Sequence, residues 1–463
     1  MRNIINKEKN FSYYFMIFAL IIIATISLVF LISSNLLLFL ISFVLVLFIS
    51  FKLKINKFPL LLFLISFLIR LIGIYILDFP QVTDFEVLLD AAKKFSIGDF
   101  SFQNIKYFSL WGYQTGFVIY EGVLLKIFKK VVVLKIFNAL YSSLLVLFIY
   151  IFGKKISSEK SARLSSILYM IFPFPLYLNS VLANHHISAF LMYLGIMFLL
   201  REKKNIKDYV IAAILISFGN IMRPEGIIVI VSLILFELFK VKKNEIFDIG
   251  KKLLIFILVY YLIGVSSSLV VQKTGINKAG LTNKDPKWKF VLGFNHEKCG
   301  YYNREDEQKY LNNDSEEIKV IKERILSNPL KTTELFICKI DNFWLQSNIS
   351  VKSDMYKNKV YNLAGFNIKF NDLQKIVISF NHYLYIITFI MCLFGIVYKR
   401  KKIIDNNSYF FVIMMIVTFG IYLLIEIQPR YTYFIHISIF ILSTYGYDYL
   451  IDKLSNNKYF KIK

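Results

Sequence analysis

The sequence has few cysteines and lacks the common cofactor-binding patterns. Three cysteines in 463 residues cannot build the disulfide framework of a small secreted domain, although Cys299 and Cys338 fall in one polar segment and could pair. The sequence contains no Walker-type loop, no dinucleotide-type glycine pattern and no Cys/His metal spacing. The sequence therefore predicts no cofactor and shows no metal site. Whether the protein requires a metal ion stays open.

Acidic residues are also scarce relative to basic ones. The chain has 31 Asp and Glu against 55 Lys and Arg, which gives a formal net charge of +24. In a soluble protein this charge would suggest nucleic-acid binding. However, 57% of the residues are hydrophobic, and they are concentrated in blocks long enough to cross a bilayer. This pattern excludes an ordinary soluble enzyme and a disordered nucleic-acid-binding chain, so no nucleic-acid partner is expected.

Apolar blocks alternate with basic clusters along the chain. Basic clusters mark the cytoplasmic side of a polytopic membrane protein, and this rule assigns both termini to the cytoplasm. We predict an all-α polytopic protein of the cell membrane with about 12–13 transmembrane helices. The predicted organisation is an N-terminal helical hairpin at 1–57, a membrane module at 58–271 with its first outer loop at 78–112, a soluble extracytoplasmic insertion at 272–375 (here called the outer segment), and C-terminal membrane helices with a basic tail at 376–463.

One stretch does not fit this alternation. Tyr113–Phe128 and Val131–Phe152 are both apolar, and two crossings there would put Lys154 and Lys155 outside. We favour one crossing, with Tyr113–Phe128 lying along the outer interface or re-entering the membrane. The alternative is that the charge rule fails at this basic cluster.

The distinctive polar residues collect on the predicted outer side. Ionisable groups at the edge of a membrane core are energetically expensive and usually have a partner or a function. A transporter would more often hold such groups near the midplane within inverted repeats, and we find no convincing internal repeat. The pattern therefore suggests a site open to the exterior. Its residues come from separate loops: Asp84, Glu86 and Asp90, then His185 and His186, then Arg223 and Glu225, and finally Glu426, Arg430 and Tyr431.

An ordered set of short motifs runs along the chain. They are Leu68–Leu71, Thr83–Ala92, Tyr113–Phe117, Phe137–Leu140, Phe172–Pro175, Met222–Gly226 and, near the C-terminus, Gln428–Tyr431. By these motifs the stretch from Leu68 to about Gly226 resembles the glycosyltransferase superfamily of GT-C fold. Within it, the pattern is most similar to the group that includes protein O-mannosyltransferases and the lipid A aminoarabinose transferase. Phe85 separates Asp84 from Glu86, whereas many relatives have an adjacent Asp-Glu pair.

The resemblance implies a membrane glycosyltransferase with a polyprenyl-phosphate-linked sugar donor. The acceptor would be extracytoplasmic and could be a wall polymer, a glycolipid or a protein, with membrane lipids around the helices. Direct displacement at the anomeric carbon needs a carboxylate that takes the proton of the acceptor hydroxyl. Asp84 is the candidate base by its match to the family loop. The alternative for Asp84 is a capping or surface carboxylate at a helix start.

Displacement also needs cations that stabilise the departing phosphate. Arg430, Arg223 and Arg70 are the candidates, because a guanidinium keeps its charge and donates in a fork to phosphate oxygens. For Arg430 and Arg223 the alternative is a structural ion pair, with Glu426 and Glu225 respectively. For Arg70, within an apolar helix, the alternative is an ion pair inside the bundle.

Other polar residues are possible substrate-binding groups. A solvated helix carboxylate is the alternative for Glu86, and hydrogen-bonded surface groups are the alternative for the two histidines. Two rival functions remain open: a polysaccharide polymerase or ligase with a diphosphate-linked donor, and a non-enzymatic transporter. The possible substrate-binding residues are Glu86, His185, His186, Glu225, Glu426 and Tyr431.

Overall fold

Helices form most of the structure. The computed structural model describes residues 43, 57–77, 79–242, 244–326, 328–345, 360–363 and 366–456. The predicted N-terminal hairpin, apart from positions 43 and 57, and the last residues of the basic tail lie outside the described residues.

The helices before the outer segment run through most of the predicted membrane module. They are α1 (Phe58–Ile76), α2 (Asp84–Ser96), α3 (Lys106–Leu110), α4 (Thr115–Phe128), α5 (Val131–Ile156), α6 (Glu159–Met170), α7 (Pro173–Leu178), α8 (His185–Leu199), α9 (Ile206–Met222), α10 (Gly226–Lys240) and α11 (Ile246–Lys273).

The outer segment contains short elements, and the chain ends in long helices. These elements are α12 (Trp288–Gly293), α13 (Arg304–Tyr310), α14 (Asp314–Leu326), α15 (Pro329–Lys339), the strands β1 (Val360–Leu363) and β2 (Phe366–Lys369), then α16 (Phe370–Tyr398), α17 (Arg400–Asp405), α18 (Tyr409–Leu424) and α19 (Tyr433–Asn456).

Five helical spans among the described residues are long and apolar enough to cross a membrane. They comprise α1, α5 and α11, most of α16, and α19 with the turn that precedes it. In the α11 span 17% of the apolar window is buried, against 83% in the α19 span. The α19 helix therefore lies at the centre of the bundle, and α11 presents its apolar surface outward. The predicted polytopic helical membrane protein is confirmed.

The centre of the bundle is built on α19. This helix packs against α16, α6, α5 and α18, while α8 packs along α9 and α10 packs along α18. Buried aromatic side chains fill these contacts, for example Tyr169 of α6 against Phe440 of α19. Because these helices meet over most of their length, the loops at their ends are held at fixed positions.

Two apolar stretches of the sequence differ from a single membrane-crossing helix. Ala162–Tyr177 is divided into α6 and α7, because Pro173 and Pro175 lack the N–H that a continuing helix needs. The α4 helix, within Tyr113–Phe128, has 14 residues and packs mainly on α2 of the first outer loop. That α4 lies along the outer interface or re-enters the membrane stays a prediction.

The outer segment has a small core and a covalent link of its own. Trp288, Val291 and Leu292 pack with Val320 of α14. Cys299 and Cys338 form a disulfide. The strands β1 and β2 pair as an antiparallel hairpin, a small exception to the predicted all-α class.

Candidate active site

An open cavity of about 1870 Å³ lies between the helical bundle and the outer segment. Its wall includes the start of α2, the stretch before α4, the turn between α9 and α10, and one face of α11. The outer segment contributes α12 and part of the loop that follows it, and the loop between α18 and α19 completes the wall. Loops that are far apart in sequence therefore meet at one site.

Asp84 is the first residue of α2 and faces this cavity. The residue before it, Thr83, has a φ of 55°, a left-handed conformation that is costly for a β-branched residue. Thr83 makes no side-chain capping bond. Asp84 is half-exposed within the cavity, where a substrate hydroxyl could reach it.

Arg430 forms an ion pair with Asp84. Its Nη2 lies 2.7 Å from Oδ2 of Asp84. Its guanidinium stacks over the ring of Phe85, with a distance of 4.9 Å from Cζ to the ring centroid. The Nε of Arg430 is buried and has no hydrogen-bond partner in the part of the chain that the structure describes. Arg430 thus holds the carboxylate with one of its nitrogens.

Arg223 contacts the same cavity from the turn between α9 and α10. Its Nε lies 2.6 Å from Oε1 of Glu225, so the structural pair expected from the sequence is present. Its Nη1 is 3.4 Å from Oδ1 of Asn184. Both partners of the Arg223–Glu225 pair are largely buried. Arg223 therefore faces the cavity as a preoriented cation.

Lys289 of α12 is a third cation in the wall, and no pattern in the sequence singles it out. Its ammonium pairs with Glu426 in the loop after α18. Burial opposes the charge of Lys289, but the Glu426 carboxylate, Tyr431 and Tyr113 outweigh that cost and raise its pKa well above the usual value. Glu426 also accepts a hydrogen bond from Gln428 at 2.8 Å. Glu426 thus pairs with Lys289, whereas the sequence suggested Arg430.

The ring of Tyr431 lies beside all three cations. The ring centroid is 4.9 Å from Cζ of Arg223, 5.7 Å from Nζ of Lys289 and 5.9 Å from Cζ of Arg430. An aromatic face attracts cations, so the ring helps to hold three positive groups close together. Each cation is paired with one carboxylate. A phosphate that enters the cavity would either displace this carboxylate or bind to the cation beside it.

Aromatic side chains line the rest of the cavity. Among them, Tyr107 and Tyr113 have raised pKa values because both are buried, so their phenols stay neutral hydrogen-bond donors. Gln114 donates to the Tyr107 hydroxyl at 3.1 Å. Trp111 and Tyr302 add further rings to the wall. Flat apolar faces next to polar groups suit the C–H faces and hydroxyls of a sugar.

Four predicted site residues lie away from the cavity wall: His185, His186, Glu86 and Arg70. His185 and His186 begin α8 and are buried, which differs from the exposed tip that the sequence suggested. Nδ1 of His186 is 2.7 Å from the hydroxyl of Tyr433, at the start of α19. The loop between α7 and α8 is short, so the neighbouring helices enclose both rings. Glu86 is exposed on α2 and does not line the cavity.

Arg70 is fully buried in the bundle. Its Nε donates to Ser142 at 2.7 Å and its Nη1 donates to Ser66 at 2.6 Å. Within the described ranges no carboxylate pairs with it, which differs from the ion pair that the sequence offered as the alternative. Hydroxyl groups supplied by its own helix and by α5 hold the guanidinium there.

No group of three or more His, Cys, Asp or Glu side chains that could hold a metal ion occurs in the described ranges. The charged groups of the cavity pair with one another, and the histidines of α8 are enclosed by the bundle. The described site is thus built from ion pairs and aromatic rings.

The polytopic helical fold predicted from the sequence is thus present, with a charged cavity between the bundle and the outer segment. Residues 120–270 match the family model of dolichyl-phosphate-mannose-protein mannosyltransferase. The match covers most of the helices between α4 and α11 and confirms the resemblance to the protein O-mannosyltransferase group. None of the curated proteins matches the chain.

Two solved structures are similar to this chain. One is the archaeal oligosaccharyltransferase AglB from Archaeoglobus fulgidus in complex with an inhibitory peptide and a dolichol-phosphate, with 14% identity, a TM-score of 0.46, and coverage of 86% of this chain and 51% of that chain. The other is the Archaeoglobus fulgidus oligosaccharyltransferase tethered to an acceptor peptide, with 16% identity, a TM-score of 0.47, and coverage of 86% and 50%. The chain thus spans about half the length of these proteins.

Proposed function

We propose that this protein transfers a sugar from a polyprenyl-phosphate carrier to a hydroxyl group of an extracytoplasmic acceptor. The observation that carries the proposal is the Asp84–Arg430 pair, which puts a carboxylate and a guanidinium side by side in an open cavity. The family match to residues 120–270 supports the same donor class. The acceptor is a wall polymer, a glycolipid or a protein.

The reaction is a direct displacement at the anomeric carbon. The acceptor oxygen forms the new bond while the bond from the anomeric carbon to the phosphate oxygen breaks, and the polyprenyl phosphate leaves with the electron pair. Asp84 takes the proton of the acceptor hydroxyl as its oxygen attacks. The base must be ionised for this step.

Arg430 connects the base with the leaving group. Its Nη2 orients Asp84, and the other N–H donors of the guanidinium would bind a phosphate oxygen. A guanidinium has five N–H donors in a fixed plane, so it can serve both partners at once. Negative charge grows on the phosphate as the bond breaks, and a preorganised cation stabilises that charge. Arg223 and Lys289, which also lie beside the Tyr431 ring, add to this stabilisation.

The site would face the outside of the cell membrane, with both termini in the cytoplasm. The Cys299–Cys338 disulfide in the outer segment supports this orientation, because disulfides persist in oxidising compartments. The outer segment, residues 272–375, would then be an extracytoplasmic insertion that covers the cavity. The exposed apolar surface of α11 would contact the lipid.

A reconstituted transfer assay tests the proposal. Purified full-length protein in vesicles is given radiolabelled polyprenyl-phosphate sugars, beginning with mannose because of the family match, together with membrane and cell-wall acceptors. We expect glycosidic product from a monophosphate donor. Product from diphosphate-linked donors alone would point to a polymerase or ligase, and sugar movement across the vesicle without product would point to a transporter. Either result would refute the proposal.

The Lys289–Glu426 pair gives a second test. Lys289→Met removes a phosphate-facing cation and leaves Glu426 buried without its partner, so we expect a lower Tm and a higher donor KM. The double variant Lys289→Met, Glu426→Gln should recover Tm but not the donor KM, because the uncompensated charge is gone while the cation is still missing. The control is Lys287→Met, which removes an ammonium paired with Asp314 outside the cavity wall. Full recovery of the donor KM in the double variant would contradict a role in phosphate binding.

A further inference from the structure

Lys339, a residue of the outer segment, caps the C-terminal end of α18. It is the last residue of α15 and is buried, at 1% exposure. Its ammonium donates to the backbone carbonyl oxygens of Leu423 at 2.8 Å, Ile425 at 2.9 Å and Tyr422 at 3.4 Å. These carbonyls belong to the last turn of α18 and the residue that follows it, where a helix lacks N–H partners and carries partial negative charge.

The position is costly for a lysine. Burial lowers the pKa of Lys339 to about 7, and the Glu426 carboxylate opposes this shift. A buried ammonium is tolerated only where hydrogen bonds replace its water. The three carbonyls provide those bonds, so the lysine and the helix end stabilise each other.

The disulfide sits directly beside this contact. Cys338 precedes Lys339, and Cys299 precedes Gly300. The Lys339 side chain lies so close to Gly300 that a Cβ there would overlap its Cε. The Gly300 carbonyl in turn accepts the N–H of Ile427 at 3.0 Å. The two segments that the disulfide joins thus both contact the loop after α18, one through the Lys339 side chain and the other through the Gly300 backbone.

That loop, residues 425–431, carries much of the cavity chemistry. Glu426 pairs with Lys289, Arg430 pairs with Asp84, and Tyr431 contacts three cations. The Glu426 N–H donates to the Lys289 carbonyl at 2.8 Å, a second backbone link to the outer segment. The position of the loop therefore depends on the outer segment.

We propose that Lys339 is a positioning residue: by capping α18 it fixes loop 425–431, and with it the cations that bind the donor phosphate. The part that concerns the donor rests on the function proposed above. Lys339 itself touches no substrate, since its ammonium is occupied by carbonyl oxygens.

The first test is local hydrogen exchange in the full-length protein. Lys339→Met should raise exchange of the amides of Glu426 and Ile427 about tenfold, because loss of the cap opens this loop without global unfolding. Lys331→Met, an exposed lysine of the same helix, is the matched control and should leave the loop unchanged. Unchanged exchange in Lys339→Met, or an equal rise in Lys331→Met, would overturn the proposal.

The second test is steady-state transfer with the same variants. Lys339→Met should raise the donor KM about tenfold and leave the acceptor KM unchanged, because the displaced loop carries the phosphate-binding groups. A lower kcat with both KM values unchanged would mean a smaller folded fraction and would overturn the positioning role. If the wild-type protein transferred no sugar at all, the proposed function would fail, whereas the exchange experiment would still decide whether Lys339 holds the loop.

Two glycine variants test the proposal if Lys339→Met does not fold. Gly300 and Gly275 have φ values of 76° and 71°, so alanine strains the backbone equally at both. At Gly300 the new methyl group would displace Lys339, whereas nothing lies within 4 Å of a Cβ at Gly275. Gly300→Ala should therefore reproduce the faster exchange of the loop, and Gly275→Ala should not. Equal behaviour of the two variants would overturn the proposal.

Discussion

Asp84→Asn should lower the rate of sugar transfer by about a hundredfold to ten-thousandfold, the usual contribution of a general base. Asparagine keeps the size of the side chain and an oxygen that can accept from Arg430, but it cannot take a proton. The fold should persist, because Asp84 lies at the first position of α2 and makes no capping bond within that helix. Donor KM should change little.

The matched control for this variant is Asp90→Asn. Asp90 lies on the same helix, is exposed and pairs with Lys93 at 3.0 Å, outside the cavity wall. Loss of that surface pair should leave transfer within about twofold of wild type, because exposed ion pairs contribute little. Full transfer activity in Asp84→Asn, measured with labelled donor in vesicles, would show that Asp84 is not the base.

Arg430→Lys should lower kcat by about a hundredfold, the typical cost of losing one preorganised donor at a developing negative charge. Lysine keeps the positive charge, so donor binding should be largely retained. It cannot reach Asp84 and a phosphate oxygen together from one planar group. We therefore expect a fall in kcat with a smaller change in donor KM, measured by steady-state transfer at saturating acceptor.

The exposed Arg304 supplies the control for that substitution. Arg304→Lys makes the same chemical change at the first residue of α13, outside the cavity wall. Its kcat and KM values should match those of the wild type. A wild-type kcat in Arg430→Lys would mean that charge alone suffices and that Arg430 does not bridge the base and the phosphate.

Much of the helical architecture could be predicted from the sequence. For example, the apolar runs Leu253–Val271 and Tyr409–Ile425 coincide closely with parts of α11 and α18, because long apolar runs between polar ends can only be helical in a bilayer. The break at Phe172-Pro173 was harder to predict, because a proline can either kink a helix or end it. Here α7 begins at Pro173 as a separate short helix.

The cavity was less predictable, since it depends on which loops meet. Asp84, Arg223 and Arg430 could be selected by charge and position at helix ends. Lys289 could not, because nothing in its sequence neighbourhood distinguishes it from other lysines of the outer segment. Its partner Glu426 lies 137 positions further along the chain. Such pairs become visible only when the packing of the outer segment against α18 is known.

The histidines of α8 show that burial is also hard to predict from the sequence. Two adjacent histidines after an asparagine indicate a polar loop, yet both rings are enclosed by neighbouring helices. Sequence pattern gives the ends of helices, but it does not tell how deeply an end is inserted among its neighbours. Here the contact of His186 with Tyr433 of α19 places the start of α8 inside the bundle.

The loop after α18 has a consequence for chimeric proteins and for evolution. Its backbone is bonded to Lys289 and Gly300, and its helix end is capped by Lys339, all from the outer segment. The segment is therefore not an interchangeable module that could be grafted from a relative onto these membrane helices. Exchange of one part alone would separate Glu426 from its cation, so the two parts are expected to be inherited and to change together.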